Sequence, residues 1–334
     1  GLPRADCGIF RDTMNRRQWF SGLAALPLSA AVPKAQQAQA PRPQAPAARA
    51  ADLPLEEFQP KSMLKVPETQ VPRARFPVID IHTHLGFSNA GVAGVPQGEG
   101  RRFAAPAAEL LAVMDQVNLK TMVNLTGGVG AGLRESIARF QTAHPGRFLT
   151  FTEPRFDRAS RPGYAKEQGD EIVAAHRLGA RGLKVLKTLG LYLREQGTPG
   201  PLVKVDDPRF DPMWEACGAS GMPVAIHVGD PEAFFLPTDR FNERFEELHN
   251  HPDWSFHGKD FPPLRDIFEA RNRVFARHPK TQFIALHVGH NAENLAYVSE
   301  CLDRFPNMSV EIGARVLERE ATAASADFVK NEFE

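Results

Sequence analysis

Three times along this chain a short apolar run ends in histidine, one further residue or more, and glycine: V-I-D-I-H-T-H-L-G at 78–86, P-V-A-I-H-V-G at 223–229 and F-I-A-L-H-V-G at 283–289. Runs of this kind, rich in β-branched residues and closed by a turn residue, read as buried strands. Side chains two apart on a strand share a face. His82 and His84 therefore project together from one strand end, with Asp80 one pleat behind, a placement that suits two ligands of one metal ion. His227 shares the face of Ala225, while Val224, Ile226 and Val228 take the other. Each histidine alone reads equally well as a strand-end residue bonded to backbone or solvent. The same ending on separate strands points to a shared site.

Between these runs the pattern alternates. Apolar strand signals fall at 121–126, 148–156, 181–189, 224–228, 282–288 and 308–312, and helical periodicity at 106–117, 133–143, 164–178, 212–219, 264–277 and 292–305. The stretch 86–100 reads as a Gly-rich loop. The glycines of G-G-V-G-A-G at 127–132 lack the Lys-Ser/Thr of a phosphate loop and the G-x-G-x-x-G order of a dinucleotide turn, so they read as a plain strand-to-helix turn. Strict alternation implies a parallel sheet covered by helices. His82, His84, His227 and His287 end their strands, with Lys187 and Glu311 within a residue or two. A (β/α)8 TIM barrel gathers such ends at one mouth, whereas an open sheet spreads them along a line. The expected fold is therefore α/β, a barrel of the metal-dependent hydrolase type. Only seven strands are legible, and the sequence reads as stopping before the eighth.

Lys plus Arg and Asp plus Glu number 40 each, so no global field draws nucleic acid or an anionic membrane. A small-molecule substrate fits best. The three cysteines, Cys7, Cys217 and Cys301, show no C-x-x-C spacing, which argues against a disulfide scaffold or a thiolate zinc site. From Met14 the chain reads M-N-R-R-Q-W-F followed by a short Ala/Leu-rich run, too short for a stable membrane anchor. The paired Arg16 and Arg17 resemble a twin-arginine export signal over 14–40, ending at Ala38-Gln39-Ala40. The expectation is a periplasmic or exported protein, with 1–13 a non-native upstream extension, 41–75 a Pro/Ala-rich linker or arm, and 76–334 the barrel.

The Asp80-Ile81-His82-Thr83-His84 segment, His227 ending the fifth strand and His287 ending the sixth together resemble the amidohydrolase superfamily. The likeness is to its amidohydrolase-related branch, which includes metal-dependent hydrolases and the decarboxylases related to aminocarboxymuconate semialdehyde decarboxylase. The resemblance runs from Phe76 to the end and is specific for the superfamily but weak for substrate. It implies that His82, His84 and His227 are metal ligands, and that His287 is a second-metal ligand or a substrate-facing acid/base. An eighth-strand aspartate, which that family uses, is not found in this sequence, so the resemblance implies a truncated chain or a deficient site.

Lys184 and Lys187 lie in the fourth strand run, where unpaired lysines are costly. Either could be carbamylated, as in some superfamily members, or bind a substrate carboxylate. Their opposite pleat parity lets only one face the axis of a regular strand, and Lys184 is preferred. Glu311 could orient a ligand or contact substrate. The excursion 230–263 carries Phe234, Phe235, Phe241, Phe245, Trp254, Phe256 and Phe261. It reads as a lid over the mouth, with Phe234 and Trp254 touching substrate, or else as a structural or dimer-forming segment. Its own His249, His251 and His257 are not expected to bind metal. The implied chemistry is hydrolysis of an amide, ester or lactone bond through water activated by a divalent ion, zinc first. The candidate catalytic groups are His287, Lys184 and Glu311. The alternatives are a metal-dependent decarboxylase of an aromatic or unsaturated acid, and an inactive fragment or binding protein.

Overall fold

The computed structural model describes residues 61, 63, 70–195 and 200–314. The chain divides into two units at Glu68, and every strand and helix of the described residues belongs to the second, Thr69–Glu334. The upstream extension, the export signal, Cys7 and most of the arm lie outside the described residues. So does any strand beyond Ala314.

Strand β1 (Val78–Thr83) leads into an antiparallel hairpin, β2 (Gly86–Val92) and β3 (Val95–Phe103). Helices and strands then alternate: α1 (Ala107–Val117), β4 (Leu119–Asn124), α2 (Gly130–Ser136, continued by a π-helical turn over Ile137–Thr142), β5 (Phe148–Thr150) and α3 (Tyr164–Leu178). The second half runs β6 (Leu183–Val185), α4 (Asp211–Ser220), β7 (Val224–Ile226), α5 (Phe245–Asn250), α6 (Leu264–Arg277), β8 (Phe283–Ala285), α7 (Leu295–Arg304) and β9 (Met308–Val310). Parallel ladders join β1, β4 and β5, and likewise β6, β7, β8 and β9. A bridge between Thr152 and Leu183 connects the two sets, with the Lys184 N–H donating to the Thr152 carbonyl at 2.8 Å. Seven parallel strands thus follow one another in sequence order, as the alternation predicts. Among the described residues no ladder joins β9 to β1.

The strand pattern sorts side chains between an outer and an inner core, while Leu85, Met114, Phe140 and Phe148 form a third cluster. Leu183, Val185, Val224, Ile226 and Phe283 pack outward with Phe210, Trp214, Val274 and Phe275 of the surrounding helices. Val123, Leu125, Phe151, Ala225 and Leu286 form a separate cluster inside the sheet. Ala225 on the inner side puts His227, two residues on, at the mouth above it. The helices stop where their sequences demand: α3 ends at Gly179 and α4 at Gly221, both at positive φ, as left-handed caps. Cys217 and Cys301 are buried free thiols on α4 and α7. No helix of the described residues is long and apolar enough to cross a membrane.

Two expectations need correction. The first strand is not buried on both faces: Ile79 is 58% exposed, and Val78 and Ile81 are also open. Among the described residues it pairs with β4, on one side. The stretch read as a Gly-rich loop is instead the β2–β3 hairpin, turned at Ala93 (φ 46°) and Gly94 (φ 74°). Consecutive left-handed residues are what a tight hairpin requires.

The hairpin also explains the glycines at 127–132. Glu99 of β3 accepts from the Ala131 N–H at 2.6 Å at the start of α2, and from Arg155 at 3.1 Å. This is a carboxylate where a helix N-terminus favours negative charge. Arg101 pairs with the buried Glu153. A Cβ on Gly128 would meet Arg101, and one on Gly130 the Glu99 carboxylate. Gly130→Ala, at φ +51°, should therefore destabilise by about 2–3 kcal/mol in urea unfolding. Gly146→Ala, at φ +78° but in open space, should cost only about 1 kcal/mol.

Candidate metal centre

The ends of the strands place the polar groups. His82, near the end of β1, and His84, just beyond it, bring their Nε2 atoms to 3.2 Å. Donors held 2.0–2.1 Å from a tetrahedral ion stand about 3.3 Å apart, so this pair has the spacing of two ligands on one ion. Glu311, one residue past β9, accepts from His82 Nδ1 at 3.0 Å. A neutral ring that donates from Nδ1 carries its lone pair on Nε2, the atom facing His84. Glu311 thus fixes the orientation of the His82 ring.

His287 lies between two halves of the cluster. Its ring centroid is 4.9 Å from that of His82 and 4.8 Å from that of His227. Among the described residues two sets of donor atoms lie within 4.8 Å of one another: His82, His287 and Glu311, and His227, His287 and His290. His82 and His84 are thus brought together directly, and His227 joins them through His287. His249, His251 and His257 belong to neither set.

His290 was not legible as a site residue, because three positions past a strand end is ordinarily loop. The backbone explains its arrival. His287 (φ 53°, ψ 49°), Val288 (φ 57°, ψ 40°), Gly289 (φ 65°) and His290 (φ 59°) form one left-handed turn. Each such L-residue costs about 1–2 kcal/mol, and a β-branched one is an outlier. The turn is held from both sides. The His287 N–H donates to Glu311 Oε2 at 3.1 Å and the Val288 N–H to the Glu311 carbonyl at 2.6 Å, while Arg271 Nη1 donates to the Gly289 carbonyl at 2.6 Å. Strain maintained in this way clusters at functional sites.

Both lysines reach the mouth. Lys184, in β6, is fully buried and its Nζ has no hydrogen-bond partner. Lys187 lies two residues past β6, donates to Asp230 at 2.9 Å, and stands 5.9 Å from the Trp254 ring and 6.0 Å from that of Phe256. The parity argument does not separate them, because the regular strand ends at Val185. Phe234 is buried in the main core, and its carbonyl accepts from the Phe256 N–H. Phe256, which nothing in the aromatic pattern singles out, takes the place beside Lys187. The excursion carrying these aromatics contains α5 and two short 3-10 turns, and sinks Phe234, Leu248 and Phe256 into the core.

The electrostatics favour neutral rings. Desolvation, then the charge of Lys184 and the neighbouring imidazoles, lowers His84 to about 3. Desolvation lowers His287 to about 4, and drives His227 well below its ordinary value, helped by His287 and Lys184. Burial pushes Lys184 down to about 7 against the pull of Glu311 and Glu153. Burial pushes Glu311 up, but the His82 hydrogen bond and the His287 N–H more than offset it and hold the carboxyl at about 2. Neutral imidazoles and an ionised carboxylate are what a divalent ion requires.

The same depressions set a pH dependence. Between the ordinary 6.5 and about 4 the unfolded chain binds protons that His287 refuses when folded, so stability is present above 6.5 and drains as pH falls. The urea midpoint of the metal-free chain should drop from pH 7 to pH 4.5, and less steeply in His287→Asn.

The family comparison agrees with this picture of the chain. The family model described as Amidohydrolase, of the amidohydrolase 2 type, matches residues 79–332. Among solved structures, an uncharacterised TIM-barrel protein from Bordetella bronchiseptica is 18% identical over 69% of this chain and 68% of its own, with a TM-score of 0.39. A 5-carboxyvanillate decarboxylase from Sphingomonas paucimobilis is 17% identical over 64% and 67%, with a TM-score of 0.39. A 2,6-dihydroxybenzoate decarboxylase from Rhizobium is 18% identical over 66% and 69%, with a TM-score of 0.40. No curated protein matches the chain. The family match spans every histidine and carboxylate of the cluster, and on that match the chain belongs to the amidohydrolase 2 family of the amidohydrolase superfamily.

Proposed function

We propose that the chain is a divalent-metal enzyme that hydrolyses an amide, ester or lactone bond of a small molecule. The observation that carries this reading is the His82–His84 pair, its Nε2 atoms 3.2 Å apart with Glu311 fixed on His82 Nδ1. His82 and His84 would hold the ion, with the imidazoles of His287 and, beyond it, His227 alongside, and that donor chemistry favours zinc. When bound, such an ion supplies a Lewis acid that polarises a carbonyl and makes water nucleophilic near neutral pH.

The remaining work falls to the chain's own groups. Glu311 keeps the His82 ring in one tautomer and orientation. The unpartnered Lys184 Nζ can donate to an oxygen that gains negative charge. Lys187, held by Asp230, offers a cation beside an aromatic wall that Trp254 presents and the buried Phe256 backs, which suits a flat substrate bearing a carboxylate. That wall also limits water at the mouth. The same wall and lysines favour a second reading, loss of CO2 from an aromatic or unsaturated acid, in which a group at the site protonates the ring carbon. The R-R-Q-W-F segment supports export of the enzyme in folded form.

Purified chain supplied with zinc should cleave members of a lactone, ester and amide panel, lose that activity to a chelator, and regain it with zinc. His82→Ala and His84→Ala should each leave less than about 1% of kcat/KM. Glu311→Gln should weaken zinc affinity by about 10–100-fold, with activity recovering at saturating metal. CO2 release from aromatic acids without hydrolysis would replace the first reading by the second. Metal-loaded chain inert in both assays would defeat both.

A further inference from the structure

We propose that His290 is itself a metal ligand, forming with His227 and His287 an all-imidazole cation site beside the His82–His84 pair. The inference rests on the reading of this mouth as a metal centre and extends it to a residue that the family resemblance did not mark. Three observations carry it. One ring nitrogen from each of His227, His287 and His290 lies within 4.8 Å of the other two, with ring centroids 4.2 Å apart for His227 and His290 and 4.9 Å for His287 and His290.

The second observation is an uncompensated nitrogen. His227 Nε2 is buried without a hydrogen-bond partner, and Asp230 Oδ1 stands 3.6 Å away, beyond hydrogen-bond reach. A buried polar atom left in this state is costly, and an ion at that point removes the cost.

The third is the backbone. His290 reaches the cluster only because the chain makes a left-handed turn through His287, Val288 and Gly289, and Arg271, fully buried on α6, clamps the Gly289 carbonyl at 2.6 Å. A relaxed strand end would point His290 elsewhere. The turn brings two imidazoles, three residues apart, up to His227 from the neighbouring strand. Three neutral nitrogen donors select borderline transition ions such as zinc, cobalt, nickel or copper over magnesium or calcium. Asp230 lies close enough to balance part of the charge.

The test is metal content and cobalt(II) absorption of the full chain, titrated with cobalt or zinc chloride. The wild type should take up two equivalents. His290→Asn, whose side chain tolerates a left-handed backbone, should lose one equivalent or bind it at least tenfold more weakly, while His82→Ala should lose the other. Two equivalents bound with unchanged affinity and spectrum in His290→Asn would overturn the proposal. So would a single ion that His82→Ala abolishes and His290→Asn leaves untouched, a result that keeps the enzymatic reading intact. No uptake by the wild type would defeat both. Should the variants fail to fold, zinc X-ray absorption on the wild type decides: five imidazoles shared by two ions give more than two per zinc, and two or fewer overturns the assignment.

Discussion

The carboxylate of Glu311 is the group on which the mouth of this barrel depends. It follows β9 and receives the Nδ1 hydrogen of His82 on β1, so it ties the last described strand to the first where no ladder does so. The same side chain accepts from the His287 and Gly313 N–H groups. An ionised carboxylate with little exposure to water is tolerable only when its oxygens are filled in this way. In return it orients one imidazole of the cluster and secures the turn that carries two more. Lys184, buried nearby, supplies the opposite charge at longer range.

Around that hub the chain accepts local costs to place chemistry. A left-handed turn through Val288 is a poor conformation for a β-branched residue, and it persists because Glu311 holds one side and Arg271 the other. Arg271 is itself buried, satisfied by Gly289 and Asn272 and packed over Phe268 and Phe275. Elsewhere the β2–β3 hairpin sets Glu99 and Arg101 against the glycines that open α2. Those glycines leave room for another part of the chain rather than for a bound phosphate.

Much of this was legible in the residues, and the failures have identifiable causes. Apart from the open β1, the parallel strands and the spans of α3 and α6 follow from apolar periodicity, because each of them buries a face against the sheet or its helices. The hairpin was hidden because its strands expose most of their residues, leaving no apolar alternation to read. The exposure of β1 was hidden because periodicity reports what a strand could bury, and the neighbour that would bury it is a matter of topology. Lys184 and Lys187 reach one mouth despite opposite parity, because two residues beyond Val185 no longer obey the pleat. His290 escaped notice since nothing in H-V-G-H announces a left-handed backbone at three non-glycine positions.

The amino-acid sequence alone determined the alternation of strand and helix, the parallel sheet it implies, and the histidines that end its strands. These are consequences of side-chain period and residue type, which act locally. Only the tertiary structure decided which of those histidines meet. His82 and His84 face each other at 3.2 Å, His287 stands between them and His227, and His290 is turned inward. Such contacts join residues as far apart in the chain as His82 and His287, and their distances are set by strand order, by where each strand stops, and by the partners that hold Glu311 and the strained turn in place.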